Sequence, residues 1–239
     1  MKKQFLDQIH SNIEKHGMHI TLVQSETVPR VAYSIGLAQK IDFELAFPGG
    51  TYFLKDEVFI IINAIAKGLI KENNVHRRFF VDGKGEFTLL KAHKSWTRMI
   101  TLGIFDFYNG ADIDVYQIIP GVKFFTNEIP NMSIPFDPNQ NPIWTPLYED
   151  WKLSVPVNSL VTLDIDALQG HTIKEVARWD TNEWEMFTKP GPVISSNEIR
   201  LVPISTILGI DNTLDYVLKL EIGKALWRET REGAWHTWN

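Results

Sequence analysis

Five prolines fall between positions 130 and 146, in the run "IPNMSIPFDPNQNPIWTPL". Proline has no amide proton for a ladder and its ring blocks a helix interior, so no regular element can run through this stretch. It is the best boundary in the chain. The balance of charge changes at the same place. Residues 1–146 carry 15 Lys+Arg and 15 Asp+Glu, whereas residues 147–239 carry 9 and 14, a net charge of −5. We therefore expect two domains, 1–146 and 147–239. Both should be α+β, mainly antiparallel sheets with a few packed helices.

Before the boundary, Phe5, Leu6, Ile9 and Ile13 fall at helical spacing, and Gly17 is a natural helix stop. "HITLVQ" and "RVAYSIGLA" read as strands, with a turn or close approach at Gly36 and another turn at "FPGG". Asp56 opens a helix whose buried face is Val58, Ile61, Ile62, Ile65 and Leu69. "RRFFVDGKGEFTLLK" reads as a hairpin turning at Asp82-Gly83. "RMITLGIFDFYNGADIDVYQIIP" reads as two further strands around Asn109-Gly110.

After the boundary, "VPVNSLVTLD" from Val155 and "VPISTILGID" from Val202 share a pattern. Either residues 155–187 and 202–238 are an internal repeat, or both follow the same strand–helix grammar. Six of the eight tryptophans also lie here: Trp151, Trp179, Trp184, Trp227, Trp235 and Trp238. Most should be core anchors.

Few chemistries are indicated. Cysteine is absent, which excludes disulfides and thiolate catalysis and fits a reducing compartment. The first residues lack the apolar run of a signal peptide, and no stretch is long enough to span a bilayer, so a cytoplasmic location without membrane contact is expected. No Walker, nucleophile-elbow or zinc-protease motif is present. His16 and His19 lack further ligands at metal spacing, so neither a metal nor a cofactor is expected. Asp164 with Asp166, and Glu183 with Glu185, are spaced to share a strand face. The second pair, around Trp184, reads as the wet side of an amphipathic strand.

Two resemblances add to this. "HGMHITLV", "VAYSIGLA", Glu44-Leu45, "PGG" at 48–50 and "VYQIIP" make residues 8–145 resemble the bacterial family called domain of unknown function 4262. The family more often has Gly-Trp at positions 17–18, Thr at 34 and His-Pro at 42–43. "EWEMF", "VPISTILGIDNTL" and "IGKALWR" make residues 170–230 similar to domain of unknown function 2185, a family grouped with bacterial immunity proteins. The second resemblance implies a protein that binds and neutralises a toxin. An acidic domain repels nucleic acid and attracts basic partners, so the expected partner is a protein, a basic toxin domain. The residues expected to contact it are Glu183, Trp184, Glu185, Trp227, Arg228, Arg231, Trp235 and Trp238. The alternative is a small-molecule or flavin-type pocket lined by Tyr33, Tyr52 and Trp96, in a cofactor-binding protein or an enzyme.

Overall fold

The structure, a computed structural model, describes residues 2–72 and 74–238. The fold is α+β, with two six-stranded mixed sheets. The chain gathers into two compact units. The first holds residues 1–23, 30–125 and 129–136; the second holds 24–29, 126–128 and 137–239. The proline-dense stretch is thus divided between them, and part of it is built into a core. Trp144 is buried there, and its indole N–H donates to the Glu128 carbonyl within the second unit at 3.1 Å. No described helix is long and apolar enough to cross a membrane.

In the first unit the elements are α1 (Lys2–His16), β1 (His19–Val23), β2 (Val31–Ile35), α2 (Ala38–Ile41), β3 (Phe43–Pro48) and α3 (Lys55–Glu72). They continue with β4 (Phe79–Val81), β5 (Gly85–Lys91), α4 (Lys94–Ile100), α5 (Leu102–Phe107) and β6 (Asp114–Pro120). The sheet order is β1-β2-β3-β6-β5-β4, with β3 and β6 its parallel pair. Helix α3 buries Val58, Ile61, Ile62, Ile65, Ala66 and Leu69, the stripe its spacing predicts. That stripe packs on Leu45, Phe47, Phe87 and Ile118 of the sheet. At the helix start, Glu57 reaches back to accept the Leu54 N–H at 2.7 Å, half of a capping box.

The run Arg98–Phe107 corrects the expectation of a strand, because it is helical on both sides of a break at Thr101. Trp96, Ile100 and Ile104 are buried at intervals of four residues, so helical period outweighs the β-branched and aromatic content. His93 Nδ1 caps α4 by accepting the Ser95 N–H. Asn109 and Gly110 end α5 rather than turning a hairpin. Asn109 has φ 52°, and the Gly110 N–H bonds back to the Phe105 carbonyl at 2.9 Å, a Schellman closure.

The second unit contains β7 (Leu160–Asp164), α6 (Ile165–Leu168), β8 (Glu175–Arg178), β9 (Glu183–Phe187), β10 (Ile199–Pro203), α7 (Ile204–Ile210), β11 (Lys224–Trp227) and β12 (His236–Thr237). Its sheet order is β10-β7-β9-β8-β11-β12, with β7 and β9 parallel. Val161, Leu163, Val176, Trp184, Met186, Val202 and Leu226 point inward. They meet Ile204, Ile207 and Leu208 of α7, and Leu214, Val217 and Leu218 of a 3-10 stretch at Asn212–Lys219. The two aligned "Val-Pro" segments are not equivalent. Leu160–Asp164 is strand, whereas its counterpart Ile207–Asp211 closes α7, so sequence likeness here does not carry over to structure.

Candidate functional site

Strand alternation divides the residues of the second sheet between two faces. Residues of even number on β7, and odd number on β8 and β9, point away from the core. On β9 the burial alternates accordingly: Glu183 is exposed, Trp184 is 2% exposed, and Glu185 is half-buried. The register extends this outer face across the sheet. Leu201 lies opposite Thr162, Thr162 beside Glu185, Glu185 opposite Ala177, and Ala177 opposite Ala225. In the next row, Glu175 lies opposite Trp227 and Trp227 opposite His236. The Trp227 and His236 rings lie with centroids 4.8 Å apart, tilted by 34°. Trp238 follows β12 on the same side; its N–H donates to the Ala225 carbonyl and it is 56% exposed.

Charge is segregated by face. Glu175, Glu183 and Glu185 are on the outer side. The strand-borne cations Arg178, Arg200 and Lys224 are all on the inner side, since Arg178 pairs with Trp184, Lys224 with Arg178, and Arg200 with Leu163. Arg178 stacks over the Trp184 ring at 4.9 Å and donates to the Asp180, Thr181 and Leu220 carbonyls. The outer positions of the strands therefore carry carboxylates with no lysine or arginine among them. Indoles stand at one side, Ile199 and Leu201 at the other edge, and two small alanines lie between.

This arrangement corrects part of the expected contact set. Glu183, Glu185, Trp227 and Trp238 come together on the outer face. Trp184 does not, because it is a core ring of the inner face. Arg228 is 2% exposed and forms the centre of a buried clamp. It donates to Asp211 Oδ2 at 2.8 Å, to the Ile173 carbonyl at 2.7 Å and to Thr213 Oγ1 at 2.7 Å. Its guanidinium also lies 4.4 Å from the centre of the Trp235 ring. Arg231 reaches the same Asp211 at 3.2 Å. Arg228, Arg231 and Trp235 are thus bound into the fold. Burial pushes the Asp211 carboxyl up, but Thr213, Arg228 and Arg231 outweigh it and hold the group below its ordinary value. Sequence reasoning missed Glu175, His236, Ile199 and Leu201; parity along the strands was the signal that could have found them.

Asp164 and Asp166 do not share a face as expected. The strand ends at Asp164, which is buried and accepts the Thr188 N–H and O–H, while Asp166 sits on α6 against Lys189. Tyr33 and Trp96, expected to wall a pocket, are buried within the first unit. The Tyr33 hydroxyl accepts the Gly103 N–H, and the Trp96 indole donates to the Ile134 carbonyl. Tyr52 packs beside the same core.

The first unit encloses one further polar cluster. Glu44 on β3 is fully buried. Its Oε2 accepts from Ser34 Oγ at 2.5 Å, and its Oε1 from the Tyr108 hydroxyl at 2.6 Å and the Ala38 N–H at 3.0 Å. Burial raises the Glu44 carboxyl above its ordinary value, opposed by these donors. Burial and the adjacent Glu44 charge raise the Tyr108 phenol as well. The donors converge on the carboxylate and tie the end of α5 to the sheet. Among the described residues, no three His, Asp or Glu side chains gather as a metal-holding group.

An open groove of about 320 Å³ also lies in the second unit, between the 3-10 helix Pro142–Leu147 and α7, with Glu149, Asp150 and Asp215 at its rim. It adds to the acidic surface but has no aromatic pair comparable with Trp227 and Trp238. Searches against family models, curated proteins and solved structures find no match to the chain.

Proposed function

We propose that the second unit is a protein-binding module for a basic partner, of the immunity type that covers a toxin's active site. Its contact surface is the outer face of the second sheet. The observation that carries this reading is the segregation of charge on the strands: three glutamates outward, every strand-borne cation inward. Carboxylates gathered with no strand-borne counter-charge make the local potential negative and steer a positive partner. Indoles beside them supply the large, rigid contact area typical of binding hot spots. The excess acid of residues 147–239 acts in the same sense. Toxins that act on nucleic acid have basic active sites, which such a face complements.

The test is co-expression of the full chain with toxin candidates encoded beside it, followed by affinity measurement at low and high salt. A complex that weakens with salt and is lost in E183K/E185K is the expected result. Failure of every candidate to bind, or a complex indifferent to E183K/E185K, would sink the proposal.

A further inference from the structure

The outer face also indicates which kind of cation it receives. Glu185 and Trp238 stand in one row, separated by Ala177 and Ala225. From β9 to β12 is three strand spacings, about 14 Å. The two small side chains keep the middle of the row low. A long side chain laid across it meets carboxylate at one end and indole at the other. The same unit already shows, on its inner side, what fills such a combination. Arg228 is held between the Asp211 carboxylate and the Trp235 ring, while Arg178 covers the Trp184 ring and donates to backbone carbonyls.

Resting on the reading above, we infer that the partner presents arginine, rather than lysine, to the row running from Glu185 to Trp238. A guanidinium is planar and weakly hydrated. It can stack on an indole while donating in its plane to a carboxylate. An ammonium is strongly hydrated, acts as a point charge, and gains less from the ring. The preference is therefore carried by the tryptophans, and the glutamates supply attraction common to both cations.

The experiment titrates the full chain with two synthetic peptides, hexa-arginine and hexa-lysine, at low ionic strength, reading tryptophan fluorescence and heat. Hexa-arginine is expected to bind about five- to tenfold more tightly. In W238A, an exposed position whose loss spares the core, hexa-arginine affinity should fall more than hexa-lysine affinity, so that the preference shrinks. In E183Q/E185Q both affinities should fall. Equal affinity for the two peptides, or a preference unchanged in W238A, overturns the arginine inference and leaves the basic-partner reading standing. Absence of binding by either peptide, or E183Q/E185Q binding as wild type does, overturns the acidic-face reading and this inference with it.

Discussion

Buried charge sets the sharpest expectations at the scale of single residues. Asp211 and Arg228 are each 1% exposed at the side chain and joined at 2.8 Å. Asp211→Asn leaves a guanidinium enclosed without its counter-charge. Such losses cost about 3–5 kcal/mol, and chemical denaturation would show it. The pH dependence has a definite sign. The Asp211 carboxyl is held below its usual value of 3.8. Its contribution is therefore present above that pH and is lost as pH falls through the folded-state value. Glu44 has the opposite sign. Its folded value lies above the usual 4.5, so the native state holds the proton more tightly than the unfolded chain. Stability falls as pH rises from about 4.5 towards the folded-state value, then levels off. Unfolding free energies of wild type and Glu44→Gln, compared from pH 4 to 8, should converge on the acid side and separate in slope above it. Parallel curves would show that Glu44 does not titrate in this way.

At the scale of elements, α7 depends on a close approach. A Cβ on Gly209 would fall 2.7 Å from the Ile143 backbone nitrogen and 2.9 Å from its Cα. That backbone belongs to the 3-10 helix Pro142–Leu147 and cannot move aside as a flexible side chain would. Gly209→Ala should cost about 1–3 kcal/mol through overpacking, although alanine is the better helix former; a thermal shift measures it. Elements with a single strong period were legible in the sequence. Helix α3 has its buried stripe where predicted, and the β4–β5 hairpin turns at Asp82-Gly83. Helices α4 and α5 were not legible, because their β-branched and aromatic residues favour strand locally while their burial follows a helical period. Asn109-Gly110 misled for a related reason: a left-handed residue followed by glycine serves a hairpin turn and a Schellman cap equally well. The likeness of the two "Val-Pro" segments failed because a five-residue aliphatic run can be strand or helix. Its partners decide, and they lie far away in sequence.

For the molecule as a whole, charge is arranged on two levels. The excess acid lies in residues 147–239, which composition alone revealed. Within that unit the strand cations turn inward and the glutamates outward, which only the sheet's register reveals. Aromatic richness pointed to the right region, but it could not separate Trp184 from Trp238, because inward and outward parity depends on where each strand begins. Neighbouring residues on β9 should therefore fail in different ways. E183K/E185K alters only outer-face positions and should leave stability within about 0.5 kcal/mol. Its association with a basic partner should slow about 10- to 100-fold at low salt. That effect should fade towards 1 M salt, where the screening length is only about 3 Å. Trp184→Ala removes a ring packed between Val161, Met186 and the Arg178 guanidinium. It should cost about 3–5 kcal/mol and reduce binding only as far as it reduces the folded fraction. Stopped-flow association and urea denaturation on the two variants measure both quantities. If the charge variant lost stability, or the tryptophan variant bound poorly while fully folded, the inner and outer faces of the sheet would have to be exchanged.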